Sequence, residues 1–418
     1  MKITIHRGIN QIGGCITEVA TENTRIFIDL GQNLPDNEGV SNDELASEES
    51  IKNLTKDLDA IFYTHYHGDH LDLFHFVPNI IPQYIGQVAK QVVIEKYKRL
   101  SFIQNDKERF ESYRDQVENM ISLREGKSVQ VKDIKVTPYF VSHSAYESFM
   151  FLIEAENKRI LHTGDFRDHG YLGNGLRKIL NKIVIEGAVD MLIIEGTMLS
   201  RQGERVKTEN ELQKDVISIM NQYKNVFVLC SSTDMERLAT FYAANKKVHN
   251  RPFVCDNYQK NILKIFSKSA GTKTPLFRFD SVYDFRENNK KLHDWMQDKG
   301  FCMLVRPTEK FSKYYNSLRE QLKDEDTVLI YSMWGMYIQA KSKYAKENYL
   351  RFVNQFPNIE KLHTSGHASV ECLSDVCKIV NPTKGIVPIH GEDKNDYYSL
   401  DIPEALKERI VTSSIINL

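Results

Sequence analysis

A chain of 418 residues is long for one core, and about 150 residues per domain predicts two or three. Hydrophobic content of 41% and aromatic content of 10% exclude a disordered chain, and no apolar run approaches the roughly 20 residues of a membrane helix. A formal net charge of −1 excludes a protein that grips nucleic acid through a global positive field, so polyanion binding here must come from a local patch or from metal ions.

The chain opens on "MKITIHRG", which reads as a strand and carries no visible signal peptide. The segments "CITEVA" and "RIFIDLG" read as two more strands, with "TENT" as the turn between them. The short apolar strand "DAIFYT" ends at a dense polar cluster, "HYHGDH". A polar, helical stretch follows over Val88 to Leu123. Strands resume with "VQVKDIKVTPYFVSH", "SFMFLIEAE" and "KRILHTGD", the last two joined by a turn at Glu156 and Asn157, and "VDMLIIEGT" reads as a buried strand. From Ser200 the texture changes to helix and strand in alternation: "TENELQKDVISIMNQY", "NVFVLCSS", "MERLATFYAANK", "PFVCD", "QKNILKIFSKS" and later "DTVLIYS". That rhythm predicts a parallel α/β unit. Near Asn358 short strands with histidines return, "KLHTSGHAS" and "KGIVPIHGE". The pattern predicts one domain, residues 1–200 and 356–418, split by an α/β insert over 201–355. None of the six cysteines forms a C-x-x-C pair, which predicts reduced thiols in a cytoplasmic protein.

The cluster places His65, His67, Asp69 and His70 within six positions. On a strand end, His65 and His67 can reach one ion, while Asp69 and His70 can reach a second. Imidazole nitrogen and carboxylate oxygen suit zinc at about 2.0–2.2 Å. A polar loop that merely happens to be rich in histidine is the bland alternative, and H-x-H-x-D-H is far more restrictive than a lone pair. His143 or His390 taken alone is as readily a core histidine as a ligand.

The stretch "THYHGDH" resembles the signature of the metallo-β-lactamase superfamily, whose fold is an αβ/βα sandwich. Its further motifs can be matched in order: Asp29 in "IFIDLG", His143 in "YFVSHSAYES" and Asp165 in "LHTGDFR". The late motifs "HTSGHAS" and "GIVPIHGE" resemble those of the β-CASP nucleases, ribonuclease J most of all, without that group's C-terminal domain. The resemblance implies a metallo-β-lactamase sandwich with an inserted α/β domain of β-CASP type. It implies two Zn2+, with Mn2+ as the alternative metal. One ion would be held by His65, His67 and His143, the other by Asp69, His70 and His390, with Asp165 bridging. Asp29 would orient the metal loop from behind. A histidine at the second position, His67, sets the motif apart from the diiron branch, which has a carboxylate there.

Two metals about 3.5–4 Å apart can ionise a water and hold both the attacking and leaving oxygens of a phosphodiester. They also supply positive charge that the side-chain total lacks. Asp69 would orient the nucleophile, His367 in "SGHA" would meet the scissile phosphate as hydrogen-bond donor or acid, and Glu195 in "LIIEGT" falls where the group has a catalytic acidic residue. His363 reads equally as a packing residue. Backbone N–H groups at Ser365 and Gly366 suit phosphate contact, while Ser231 and Ser232 read as phosphate donors or as helix caps. Between Arg306 and Lys346, the cations Arg306, Lys310, Lys313, Arg319, Lys341, Lys343 and Lys346 interleave with Tyr314, Tyr315, Trp334, Tyr337 and Tyr344. This strip fits a single-stranded nucleic acid track, or a solvated face over an aromatic core.

The resemblance has departures. "SSTDMER" puts Glu236 where β-CASP enzymes carry a histidine, and "YSMWGMYIQAK" stands where ribonuclease J has a glycine-rich segment. Paired glycines after the metal motif are absent from "DHLDLFHFVP". The leading reading is a metal-dependent nuclease acting on RNA rather than DNA, as exonuclease or endonuclease, with homo-oligomer formation left open. Its rivals are a hydrolase of a small ester, thioester or phosphodiester, and a catalytically inactive nucleic-acid-binding protein. Bound metal separates the last from the others, and phosphodiesterase activity on a nucleic acid separates the first two.

Overall fold

The computed structural model of the protein describes residues 1–35, 43–102, 106–201, 203–248 and 251–418. Met1–Leu34, Ser41–Val206 and Gly366–Leu418 form one compact unit, and Lys207–Ser365 belongs to a second.

Before the insert the strands are β1 (Lys2–Arg7), β2 (Ile16–Ala20), β3 (Arg25–Ile28), β4 (Ala60–Phe62), β5 (Gln83–Gly86), β6 (Ile121–Leu123), β7 (Val129–Val131), β8 (Ile134–Val141), β9 (Ser148–Ala155), β10 (Lys158–His162) and β11 (Met191–Glu195). Within it lie β12 (Asn225–Leu229), β13 (Phe253–Cys255), β14 (Val282–Asp284), β15 (Phe301–Val305), β16 (Thr327–Tyr331) and β17 (Ile359–Lys361). After it come β18 (Gly385–Ile389) and β19 (Ile415–Asn417).

The first unit has two sheets, ordered β19-β1-β2-β3-β4-β5-β6 and β18-β11-β10-β9-β8-β7. Their inner faces share one apolar cluster, with Ile26, Ile28 and Phe62 from the first sheet meeting Phe149, Phe151, Ile193 and Val387 from the second. The period-2 alternation of a strand sends the intervening residues outward. Met150, Leu152, Leu192 and Ile194 pack instead under the helices Leu176–Glu186 and Val370–Val380. This explains why "SFMFLIEA" and "MLIIE" read as continuous apolar runs: both faces of the strands are covered. Glu156 and Asn157, both at positive φ (49° and 57°), make the two-residue hairpin turn that pairs Ala155 with Lys158. The fold is an α/β sandwich of the αβ/βα kind. The helical stretch expected over 88–123 resolves into helices Gln87–Leu100 and Lys107–Asn119, followed by β6.

The second unit is one sheet, β14-β13-β15-β12-β16-β17, with every neighbouring pair parallel. Its helices start on strong signals. Thr208 and Glu211 form a reciprocal capping box ahead of Glu209–Gln222, and Asp256 and Gln259 do the same ahead of Asn257–Lys268. Residues 356–365 include β17, which hydrogen-bonds in parallel to β16, so the chain re-enters the first unit at Gly366. All six cysteines are buried and free. No helix among the described residues is long and apolar enough to cross a membrane.

Candidate metal centre

The polar side chains sit on loops leaving the carboxyl ends of strands. Asp29 follows β3, the His65–His70 loop follows β4, His143 follows β8, Asp165 follows β10, Glu195 ends β11 and His390 follows β18. Asp165 is the hub. Its Oδ2 lies 3.2 Å from His70 Nε2, 3.6 Å from His390 Nε2, 3.8 Å from His143 Nε2 and 4.0 Å from His65 Nε2. His67 Nδ1 stands 3.2 Å from His143 Nε2, and Asp69 Oδ2 stands 3.3 Å from His390 Nε2. The donor atoms of His65, His67 and His143 fall within 4.8 Å of one another, as do those of His65, His70 and Asp165. The loop stretches thus converge on one hollow.

This donor set fits metal ions. His65 Nε2 and Asp165 Oδ1 are buried with no hydrogen-bond partner, an arrangement that costs free energy unless a ligand fills it. Burial pushes the His65, His67 and His143 imidazoles down, His67 to about 4, which keeps them neutral and able to donate a lone pair. Their outer nitrogens are held from behind. His70 Nδ1 meets Asp29 Oδ2 at 2.8 Å, and Asp29 also accepts from the Thr64 backbone N–H at 2.7 Å and from its hydroxyl. His143 Nδ1 donates to the Gly366 carbonyl at 2.7 Å, and His390 Nδ1 meets Thr197 Oγ1 at 2.7 Å. Each contact sets the ring so that the other nitrogen faces the hollow. Asp29 (φ 62°) and His390 (φ 53°) both occupy the left-handed backbone region, a strain that surrounding hydrogen bonds maintain. His390 N–H donates to Gly8 O at 2.6 Å, and Asp29 N–H to Phe62 O at 2.9 Å.

His367 stands at the edge of the cluster with 20% of its side chain exposed. Its Nδ1 is 3.0 Å from Glu195 Oε2, 3.2 Å from Thr197 Oγ1 and 3.6 Å from Asp165 Oδ2. Glu195 is fully buried and accepts from the Phe166 and Ala368 N–H groups through its other oxygen. Through Oε2 Glu195 thus touches the His367 ring, and one oxygen of it also falls within 4.8 Å of donor atoms of Asp165, His367 and His390. Gly366 offers its carbonyl to His143, and a Cβ there would meet Ser144 Oγ at 2.4 Å. Ser231, Ser232 and Ser365 lie in the second unit. Ser231 Oγ accepts from the Thr233 N–H, and Ser232 Oγ from the Gln259 side chain. Neither hydroxyl caps the helix Met235–Val248 in these contacts; Asp234 bonds the Arg237 N–H instead. Glu236 is buried.

Three contributors are invisible to motif reading. Thr64 and Thr197 orient four ring nitrogens between them, those of His65, His70, His367 and His390. Their only sequence signal is adjacency to chemistry, one residue before His65 and two after Glu195. Gly31 is the third. A Cβ at Gly31 would lie 1.7 Å from the Asp69 carbonyl oxygen and 2.2 Å from its carbon. Backbone cannot yield as a flexible side chain can, so Gly31→Ala must push the metal loop. We expect a loss of stability of about 1–3 kcal/mol and a fall in bound metal per chain. Thermal unfolding and elemental analysis measure the two, and unchanged values in both would remove Gly31 from this account.

Residues 25–213 match the model of a beta-lactamase superfamily domain, and residues 357–399 that of a Zn-dependent metallo-hydrolase RNA specificity domain. Ribonuclease J from Mycoplasma pneumoniae (strain ATCC 29342 / M129) is 23% identical, covering 94% of this chain and 68% of its own. The chain belongs to the metallo-β-lactamase superfamily. Within that superfamily it is a metal-dependent hydrolase of the β-CASP, ribonuclease J-like group. Ribonuclease J from Helicobacter pylori (strain B128) is 22% identical over 94% of this metallo-β-lactamase chain and 56% of its own length. The endoribonuclease YSH1 of Mycosarcoma maydis is 24% identical over 59% of this chain and 30% of its own. A solved structure of a protein of unknown function from Enterococcus faecalis V583 shares the fold with a TM-score of 0.71, at 21% identity and 94% coverage of both chains.

Proposed function

We propose that the chain hydrolyses RNA phosphodiester bonds at a centre of two Zn2+. His65, His67 and His143 would hold one ion, Asp69, His70 and His390 the other, and Asp165 would serve both. Bound there, divalent ions make water acidic enough to ionise near pH 7 and offset the charge of the phosphate. The carrying observation is that His367 and His390, both inside the segment that matches an RNA specificity domain, stand 3.6 Å from the same Asp165 oxygen that the His65–His70 loop surrounds.

The chain's own groups divide the remaining work. Asp69, next to His390, orients the attacking water. Attack forms the new P–O bond as the bond to the leaving oxygen breaks, and His367 gives that oxygen its proton. Glu195 and Thr197 hold His367 Nδ1, so the ring presents one fixed edge to substrate. Gly366 and Ser365 would add backbone N–H contacts to phosphate. Ser231 and Ser232, at the carboxyl end of β12, would do so in the inserted unit.

The test uses full-length protein of measured zinc content with end-labelled RNA and DNA bearing 5′-monophosphate, 5′-hydroxyl or 5′-triphosphate. We expect RNA cleavage that a chelator abolishes and added Zn2+ or Mn2+ restores, with DNA cleaved more slowly. Intact RNA and DNA alongside hydrolysis of a small ester or aryl phosphodiester would overturn the proposal in favour of a small-substrate hydrolase.

A further inference from the structure

The basic and aromatic strip between Arg306 and Lys346 divides in the structure. Its first half is structural. Tyr315 is 2% exposed and Tyr314 packs on the same core. Arg306 and Lys310 pair with the buried Asp256, and Lys313 pairs with Glu309. The second half, residues 332–346, differs. Met333 and Ile338 turn onto the core, while Trp334, Tyr337 and Tyr344 stay half-buried, with the Trp334 ring edge-to-face against Tyr337 (83°) and tilted against Tyr344 (53°). The Trp334 ring centroid is 5.5 Å from Tyr337 and 4.8 Å from Tyr344. Lys346 Nζ lies 4.2 Å from the Tyr337 ring centroid and Lys343 Nζ 4.9 Å from that of Tyr344. The segment carries three lysines and no carboxylate, in a chain of net charge −1.

Topology places this cluster at a ligand position. The connection leaving β12 runs through helix Met235–Val248 to β13, on the β15 side of the sheet. That leaving the adjacent β16 runs through helix Glu347–Val353 to β17, on the opposite side. Diverging connections open a crevice at the carboxyl ends of neighbouring parallel strands, where open α/β sheets bind ligands. Residues 332–346 leave β16 at that point. The platform is braced: Ser332 N–H donates to Leu229 O at 2.8 Å, Tyr331 Oη to Trp334 O at 2.9 Å and Lys346 N–H to Tyr337 O at 2.9 Å. Gly335 faces open space, since a Cβ there would meet nothing within 4 Å.

We propose that Trp334 and Tyr344 form a stacking platform for the bases of single-stranded RNA, with Lys341, Lys343 and Lys346 contacting its phosphates. Stacking tolerates any base because every base has a π-face, so the site holds a strand without reading its sequence. The proposal rests on the RNA hydrolysis reading for its choice of ligand, and the test keeps the two apart.

The chain contains two tryptophans, so Trp295→Phe leaves Trp334 as the sole indole reporter. That change is made in the full-length His65→Ala/His67→Ala protein, which leaves the probe intact. The probe is a single-stranded RNA of about twelve nucleotides, within the span such sites cover. We expect it to quench Trp334 emission. Among variants compared by anisotropy of a labelled probe, Trp334→Leu/Tyr344→Leu should weaken binding about tenfold or more, while Trp334→Phe retains most of the affinity. RNA that binds by anisotropy without quenching Trp334, RNA that does not bind at all, or equal affinity in the folded Leu variant would each overturn the platform. Quenching by RNA that the unmutated chain never cleaves would end the nuclease reading and leave the platform standing.

Discussion

The full chain carrying His65→Ala and His67→Ala is expected to lose nucleic-acid cleavage by at least about a thousandfold and to retain less metal than the unmutated protein. His65 and His67 leave together, and of the trio with His143 only one imidazole remains. A single neutral imidazole does not hold a divalent ion against water. Metal ions contribute several kcal/mol of transition-state stabilisation, and about 4 kcal/mol corresponds to a thousandfold in rate. Both residues lie on the loop after β4 rather than within a strand, so the apolar cluster between the sheets is untouched. Rate and metal content should therefore fall together while the circular dichroism spectrum stays that of the parent. Equal cleavage by mutant and parent preparations would trace the activity to a contaminant and defeat the assignment.

The second large effect lies in the inserted unit. Glu209→Ala is expected to destabilise it by about 3–5 kcal/mol, because it strands a buried guanidinium. Arg237 and Glu209 are 2% and 0% exposed. Arg237 Nη2 and Nε both donate to Glu209 Oε1, at 2.9 Å and 3.0 Å, and Nε also lies 3.3 Å from Oε2. Arg237 also donates to Ser332 Oγ at 2.8 Å and to Thr364 O at 3.1 Å, and Thr240 donates to Glu209 Oε2 at 2.6 Å. Removing the carboxylate leaves the other charge desolvated, at a cost well above what an exposed pair is worth. Replacing both residues with methionine should recover much of the loss, since neither charge is then buried. Chemical denaturation of the full chain, with hydrogen exchange at β12 and β16 amides, measures it. A change under about 1 kcal/mol in the single variant would show that water reaches the pair and that the burial argument fails.

Legibility in the sequence varied with the range of the interaction. Strands β9 and β11 were plain from apolar runs, and the Glu156–Asn157 turn from its residue types. The division of "Val88 to Leu123" into two helices and β6 was not. Helical periodicity does not mark where a polar amphipathic stretch breaks, and the Ile121–Leu123 run is too short to announce a strand. β17 read as part of the returning domain because its neighbours in sequence are the histidines of "KLHTSGHAS". Its pairing partner, β16, lies some thirty residues upstream, as the register Leu329 to Ile359 shows. The aromatic strip was open to two readings. The structure gives each its share, with Tyr314 and Tyr315 in the core and Trp334, Tyr337 and Tyr344 at the half-exposed edge.

By itself the sequence determined the identity and order of the side chains that crowd around Asp165, because their spacing within short motifs and their position after apolar strands are local properties. It determined the parallel rhythm of the insert for the same reason. Only the tertiary structure decided that Thr197 meets both His367 and His390, that Gly31 must lack a Cβ to let Asp69 pass, and that Arg237 finds Glu209. These contacts join residues far apart along the chain, and strand register sets them. Register emerges from the packing of whole sheets, and no short run of residues encodes it.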